Sequence, residues 1–493
     1  MSAGRDMNQW KTLDKDLGRI GQLELAAQYV ARPMIASGVA LAFIVVAAIG
    51  AAIFFGAQTS GYIVVAAAAF GAYMALNIGA NDVANNMGPA VGANALTMGG
   101  AIVIAALFES MGALLAGGDV VSTISKGIID PASVADSTVF VWAMMAALIS
   151  SALWVNLATW IGAPVSTTHS VVGGVMGAGI AAAGMSAVNW VSMGQIAASW
   201  VISPVLGGAV AALFLAFIKH NIIYVDDKIA AARRWVPVLI AIMAGVFATY
   251  LAIKGVKHII KIDLGMALLI GLAVAAMSYA AAAPLIRRQS EGMENRNRSL
   301  KALFAFPLVI SAALLSFAHG ANDVANAVGP LAAIVHVESV GEFAGKVSIP
   351  LWVMVIGAFG ISFGLMLFGP KLIRMVGSQI TKLNPMRAYC VALAAAITVI
   401  VASWLGLPVS STHIAVGGVF GVGFYREWHT TRLRRLNNKR RPDAVRLPAE
   451  ELRRRKLVRR SHFMTIVAAW IITVPAAALL SGVIFWGLSL IAL

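Results

Sequence analysis

The chain has 493 residues, of which 60% are hydrophobic and 12% are charged, and its mean hydropathy is +0.84. This composition excludes a water-soluble globular protein, because roughly 20 apolar residues form one membrane-spanning helix and the chain holds about a dozen such runs. The formal net charge of +16 would suit nucleic acid, but its placement along the chain indicates membrane topology instead. A single cysteine, Cys390, excludes an intrachain disulfide.

Taken in chain order, the predicted elements start with a mixed-charge segment at 1–33 that does not resemble a signal peptide. Membrane segments are predicted at 34–56, 62–78, 98–118, 138–162, 165–183, 194–218, 236–253, 264–283, 302–318, 349–369, 388–406, 409–424 and 464–492. They divide into an extra N-terminal helix at 34–56, a first repeat at 60–219, a two-helix linker with a basic loop at 220–301, and a second repeat at 302–493 that contains the basic loop 425–463.

The basic residues predict which side each loop occupies. If the N-terminus is cytoplasmic and each segment reverses the side, 32 of the 37 Lys and Arg residues lie inside. Cytoplasmic loops of membrane proteins carry such an excess. The exceptions are Lys126, Lys254, Lys257, Lys261 and Lys346. On this path the two repeats have opposite orientations, as in many secondary transporters.

One seven-residue sequence occurs twice, as Gly79–Asn85 and as Gly320–Asn326. Its glycines permit local unwinding of a helix. Asp82 and Asp323 could each neutralise a coupling cation, and the neighbouring asparagines could complete the oxygen shell or donate to an anion. The alternative is that these polar groups only satisfy a kinked helix. The asparagines concerned are Asn81, Asn85, Asn322 and Asn326.

A second repeated sequence follows each copy, as Pro164–His169 and as Pro408–His413. Each proline ends a helix, and the hydroxyl residues after it open the next helix as N-cap and first turn. A helix N-terminus lined with hydroxyls is suited to an oxyanion, although ordinary capping would explain the pattern too. The hydroxyl residues are Ser166, Thr167 and Thr168 in the first copy and Ser410, Ser411 and Thr412 in the second.

Three further polar residues lie in these apolar segments. His169 and His413 end the two hydroxyl clusters and could donate to the anion, shuttle protons or only fix the hairpin. Glu109 lies midway along a membrane segment, where a carboxylate requires a function or a partner. It is interpreted as an ion or proton site or as one half of a structural pair. The aligned position in the second repeat, near Gly360, carries no acid.

The two repeated sequences together resemble the inorganic phosphate transporter (PiT) family of cation-coupled symporters. The resemblance covers the chain from about residue 60 to its end. It implies twelve membrane segments in inverted repeats, two re-entrant hairpins and a dimer. It also implies that the asparagines and aspartates of the first repeated sequence form the substrate and cation site, and that the hydroxyl clusters bind phosphate. Glu109 matches a family glutamate that is linked to transport. Two positions depart from the family pattern, Ala392 in place of a second glutamate and Ser125 in place of an arginine.

These expectations combine into one hypothesis: an all-α polytopic membrane protein that imports inorganic phosphate across the bacterial inner membrane. Its fold would be two inverted repeats with re-entrant helical hairpins, and a sodium or proton gradient would drive it. Sodium would bind at Asp82 and Asp323. We expect no other cofactor, no enzymatic activity, no nucleic acid, contact with membrane lipid, and a homodimer. The alternatives are a sulfate or metal–phosphate permease, a passive anion channel, and an intramembrane aspartyl protease with these two aspartates as its dyad.

Overall fold

The computed structural model describes residues 34–55, 61–129, 133–134, 136–163, 165–255, 262–341, 349–379, 383–440 and 460–492. Segment 1–33, Pro164 and residues 441–459 of the basic loop therefore lie outside the described residues. The helices are α1 Met34–Phe55, α2 Gly61–Gly92, α3 Met98–Ala116, α4 Gly118–Lys126, α5 Ser137–Ile161, α6 Thr167–Ala183, α7 Trp190–Ile218, α8 Lys228–Lys254, α9 Leu264–Gln289, α10 Asn297–Leu303, α11 Ala305–Val340, α12 Leu351–Gln379, α13 Pro385–Trp404, α14 Ser411–Arg440 and α15 Arg460–Ala492.

The predicted all-α membrane fold is confirmed. Within the described residues, eleven helices are long and apolar enough to cross a membrane. The other two predicted segments, 165–183 and 409–424, correspond to α6 and α14, which begin at the hairpin tips. The additional helix α1 lies on the outside of the bundle, where Phe43 packs on Phe363 with ring centroids 5.2 Å apart.

The repeated glycines do not unwind their helices. Both α2 and α11 continue without interruption through the repeated sequence, so the prediction of an unwound segment is wrong. The glycines serve close helix crossing instead. A Cβ atom on Gly79 would lie 1.9 Å from the backbone oxygen of Ile361, and one on Gly320 would lie 2.1 Å from that of Glu109. Small residues allow membrane helices to approach this closely.

The two halves of the chain interlock. Helix α2 packs on α12 and α11 packs on α3, while the hairpin helix α6 packs on α15 and α14 packs on α7. Glycines again mark the crossings: a Cβ on Gly173 would lie 2.6 Å from the backbone oxygen of Val474, and one on Gly417 would lie 2.2 Å from that of Pro204. Each helix that carries a repeated sequence therefore contacts a helix of the opposite half.

Lys254 is one of the five basic residues that the predicted topology places outside, and its contacts explain why it is tolerated there. Lys254, at the end of α8, forms an ion pair with Asp119 of α4 and lies 3.3 Å from the backbone oxygen of Trp404. A lysine paired with a carboxylate contributes little net charge to its loop. Lys257 and Lys261 lie outside the described residues.

The inverted topology predicts a labelling pattern. In a Cys390→Ala background, a membrane-impermeant thiol reagent added outside the cell should modify Ser339→Cys and should not modify Glu291→Cys. Both positions are exposed, one at the end of α11 and the other in the basic loop after α9. Labelling of Glu291→Cys only after the membrane is made permeable is the control. The reverse pattern would contradict the inverted arrangement.

Candidate functional site

Each hairpin tip begins its second helix with the same serine cap. The backbone N–H of His169 donates to Ser166 Oγ at 3.1 Å, and that of His413 donates to Ser410 Oγ at 3.3 Å. The side-chain oxygen thus satisfies one of the free N–H groups at the helix start. Each serine keeps its own O–H proton available for another acceptor.

The two tips meet inside the protein. Thr168 Oγ1 of the first tip donates to the backbone oxygen of Val409 in the second at 3.0 Å. The rings of His169 and His413 also meet, with centroids 4.4 Å apart. Each ring lies on a tryptophan from a flanking helix, His169 on Trp200 and His413 on Trp470. These contacts favour the interpretation in which the two histidines fix the hairpins.

Both repeated aspartates accept hydrogen bonds from the hairpin tips. Thr167 Oγ1 donates to Asp82 Oδ2 at 2.9 Å, and its counterpart Ser411 Oγ donates to Asp323 Oδ2 at 2.9 Å. Thr412 Oγ1 of the second tip also donates to Asp82 Oδ1 at 3.1 Å. Both aspartates are 1% exposed. A buried carboxylate needs such donors, because it has lost the solvation of water.

The last asparagine of each repeated sequence reaches the tip of the opposite half. Asn85 Nδ2 donates to Thr412 Oγ1 at 2.8 Å. In the mirrored contact, Asn326 Nδ2 donates to Thr168 Oγ1 at 3.1 Å and to Thr167 Oγ1 at 3.3 Å. The site is therefore assembled from both halves of the chain, as the duplication indicates.

The first asparagine of each repeated sequence holds the hairpin of its own half. Asn81 Nδ2 donates to Thr159 Oγ1 at 3.0 Å, and Asn322 Nδ2 donates to Ser403 Oγ at 3.0 Å. Asn322 Oδ1 also accepts from the backbone N–H of Val409 at 3.3 Å. Both asparagines thus bind the end of the helix that leads into the tip, and this contact positions the tip beside the aspartate.

Several buried oxygens of the site have no hydrogen-bond partner among the described residues. They are Oδ1 of Asn81, Oδ1 of Asp323 and Oδ1 of Asn326. Buried acceptors are normally paired, so an unpaired set indicates a ligand that supplies positive charge or a proton. Hard cations prefer amide and carboxylate oxygens. The residue types at this site therefore fit a cation.

A histidine that the sequence analysis did not single out joins three carboxylates. His319 Nε2 lies 2.8 Å from Asp323 Oδ2 and 3.7 Å from Asp82 Oδ2, and its Nδ1 lies 3.3 Å from Glu109 Oε1. Asn86 Nδ2 donates to the same Glu109 oxygen at 2.8 Å. All five side chains are buried. Glu109 thus has two partners at Oε1, whereas its buried Oε2 has no hydrogen-bond partner among the described residues. It connects through His319 to both aspartates.

This network joins the two halves at one helix crossing, and the equivalent crossing does not repeat it. The position equivalent to His319, one residue before the repeated sequence, is Ile78 in the first half. The backbone oxygen of Ile361 lies against Gly79, and the backbone oxygen of Glu109 lies against Gly320 in the same way. Ile361, and not Gly360, is therefore the counterpart of Glu109. The difference between His and Ile beside otherwise identical sequences is the signal that could have identified this residue.

The same groups also fit a divalent cation. One ligand atom from each of Asp82, His319 and Asp323 lies within 4.8 Å of the other two. Two carboxylates and an imidazole suit a transition metal better than sodium, which prefers oxygen alone. The geometry of the side chains is therefore compatible with three candidates for the bound cation. They are sodium, a proton on the histidine network and a divalent ion.

Comparison with known proteins agrees with the duplicated motifs. A family model described as "Phosphate transporter family" matches residues 78–481. A Helicobacter pylori protein named "Putative phosphate permease" is 44% identical, over 97% of this chain and 99% of its own length. A similarly named Pyrococcus abyssi protein is 36% identical over 84% of this chain. A solved structure named "The sodium-dependent phosphate transporter" is 34% identical and has a TM-score of 0.78, covering 87% of this chain and all of that one.

The buried pair of His319 and Glu109 should show energetic coupling. His319→Ile introduces the residue of the opposite half but leaves Glu109 with one donor, so we expect a lower Tm of the detergent-solubilised protein. Adding Glu109→Ile removes that stranded carboxylate and should restore part of the loss. Interaction free energies for such neighbours are about 0.5–3 kcal/mol.

The matched control combines His319→Ile with Glu291→Gln, an exposed acid far from the site. Those two effects should simply add. If the His319 and Glu109 variants also had additive effects on Tm, the pair would not be an energetic unit.

Proposed function

Because the chain belongs to the phosphate transporter family, we propose that it imports inorganic phosphate across the bacterial inner membrane as a cation-coupled symporter. The observation that carries the proposal is the mirrored pairing of two buried aspartates with two hairpin tips, Asp82 with Thr167 and Asp323 with Ser411. A site built from both halves of an inverted repeat suits alternating access. We expect the protein to work as a homodimer in the lipid membrane.

Electrostatics supply a reason for coupling. In this state the tip hydroxyls donate to carboxylates, and phosphate would need the same donors. An anion placed beside two buried carboxylates would be repelled by about 4 kcal/mol for each pair of charges 4 Å apart at an effective dielectric constant of 20. Cations bound to Asp82 and Asp323 would remove that repulsion and release the hydroxyls. Phosphate and cation would therefore bind together, which is what a symporter requires.

Sodium is our first choice of coupling ion. Its support is the solved relative, which is named as sodium-dependent, together with the unpaired oxygens of Asn81, Asp323 and Asn326. A proton is the second choice, because His319 lies against three carboxylates and could carry a proton between Glu109 and the aspartates. A metal–phosphate cargo is a third, and it rests on the ligand set formed by His319 and the two aspartates.

The unpaired acceptors also favour phosphate over sulfate. Near neutral pH phosphate keeps at least one O–H group, which can donate to whichever of Oδ1 of Asp323 and Oδ1 of Asn326 the bound cation leaves free. Sulfate is fully ionised and has no proton to donate, so it would leave those buried acceptors unsatisfied or repel them. The hydroxyls of Ser166 and Ser410 can serve as donors to either anion.

The alternative of an aspartyl protease receives less support. Such an enzyme needs two carboxylates that share a proton directly. Here Nε2 of His319 lies against Oδ2 of both Asp82 and Asp323, so the imidazole links the two groups. The tip hydroxyls already donate to the same carboxylates. These contacts suit an ion site better than a dyad that activates water.

Uptake into proteoliposomes tests the function and the coupling ion together. With an inward sodium gradient we expect saturable, concentrative uptake of radiolabelled phosphate, inhibited strongly by arsenate and weakly by sulfate. A pH gradient alone, or phosphate with added divalent metal and no sodium, should give little uptake. Uptake driven by the pH gradient alone would identify the proton as the coupling ion. Uptake that needs the divalent metal and no sodium would identify a metal–phosphate complex as the cargo. Purely downhill flux under every gradient would identify a channel.

The aspartates should be necessary for coupling. Asp82→Asn and Asp323→Asn keep the shape of each side chain but remove its charge, so each should abolish gradient-driven uptake. Ser166→Ala or Ser410→Ala should instead raise the KM for phosphate. The binding free energy should weaken by about 1–3 kcal/mol, because a donor to a charged group is lost.

The control is Asp227→Asn, which changes an exposed helix cap where asparagine serves equally well. Its uptake should match that of the unchanged protein. Gradient-driven uptake in the double variant of Asp82 and Asp323 would show that the carboxylates are structural.

A further inference from the structure

A cavity of about 590 Å³ lies among the end of α7, the short helix α10, the start of α13 and the middle of α14, and it is strongly basic. Four cationic side chains line it, and none of its other lining residues is acidic. The cationic residues are Lys219, Lys301, Arg387 and Arg426. The asparagines Asn297 and Asn384 add two amide groups. We call this cavity the basic pocket.

The basic pocket has no acidic residue in its lining. Lys219, Arg387 and Arg426 lie close enough for their charges to repel one another. Across the described part of the chain, no carboxylate forms an ion pair with any of the four cations. The ring centre of Tyr425 lies 5.0 Å from Lys219 Nζ. Burial lowers the pKa of Arg426 from its ordinary value, but a guanidinium stays protonated at physiological pH.

Such a pocket indicates an anion. Half-buried cations that repel one another destabilise the fold unless a counter-charge joins them. Arginine guanidinium groups bind phosphate through two parallel hydrogen bonds, and Arg387 and Arg426 supply two such groups on adjacent helices. Basic pockets between membrane helices on the cytoplasmic side also bind lipid head groups.

The basic pocket is distinct from the transport site. Arg387 lies near the start of α13, and Ser403, which holds the second repeated asparagine, lies near its end. Sixteen residues of helix separate them, a distance of about 24 Å at 1.5 Å per residue. The four cations come from four different loops or loop ends that the charge distribution predicts to be cytoplasmic.

We propose that the basic pocket is a second phosphoryl-binding site on the cytoplasmic side, where Arg387 and Arg426 hold a phosphate-bearing anion. The ligand is either free phosphate or the head group of an anionic phospholipid, since both present the same oxygens. The cavity is larger than one phosphate group needs, so it can admit a substituted phosphate. This site does not depend on the transport mechanism proposed above.

The test compares Arg387→Gln/Arg426→Gln with the matched variant Arg298→Gln, whose exposed arginine lies on the same short helix α10 as Lys301 but does not line the pocket. Radiolabelled phosphate binding to the purified full-length protein in sodium-containing detergent is measured first. If free phosphate is the ligand, the unchanged protein and Arg298→Gln bind at two classes of site. The double variant then retains the transport site and loses the other, with affinity there falling about tenfold or more.

The second measurement identifies a lipid. Native mass spectrometry of protein from nanodiscs that contain phosphatidylglycerol should show retained lipid in the unchanged protein and its loss in the double variant. Size-exclusion chromatography and binding at the transport site report whether the double variant is folded. If it is not, Lys301→Gln replaces it, and we expect a few-fold weaker binding because that side chain is exposed. Unchanged phosphate stoichiometry together with unchanged lipid retention would overturn the proposal.

Discussion

The structure depends on how two carboxylates are kept inside a membrane protein. Asp82 and Asp323 have left water, and each is stabilised by a hydroxyl at a helix start, Thr167 for one and Ser411 for the other. A charge buried without such partners would destabilise the fold by several kcal/mol. The same hydrogen bonds hold the hairpin tips at the centre of the bundle. The need to stabilise two buried carboxylates therefore accounts for both the polar site and the re-entrant hairpins.

Close helix crossings make this arrangement possible. Gly79 brings α2 against α12 and Gly320 brings α11 against α3, so each aspartate helix is fixed by a helix from the other half. The tips then need to reach only a short distance to meet both aspartates. Larger residues at these glycines would separate the halves and lengthen every hydrogen bond in the site. Packing between the repeats thus sets the geometry that the side chains use.

The sequence predicts the repeated parts of this protein well and the unique parts poorly. Duplication identified the aspartates and the hydroxyl clusters as the candidate site. It also indicated the family, and the family match confirms the family alone. It could not show whether Gly79 unwinds a helix or allows a close crossing, because glycine serves both purposes and only the partner helix decides. His319 was missed because it has no copy. Its partner Asn86 was missed for the same reason, since Ala327 occupies the equivalent position.

The unique residues have a consequence for the transport cycle. In the alternating-access cycle proposed above, the outward and inward states exchange the roles of the two inverted repeats, so two identical halves would give two states of equal free energy. Here one of the two equivalent contacts between the halves buries His319, Glu109 and Asn86, and the other buries Ile78, Ile361 and Ala327. A polar network and an apolar contact respond differently to ions and protons. In the proposed cycle, the relative populations of the two states would therefore depend on the one part of the site that the duplication does not repeat, while the ion gradient sets the direction of net transport.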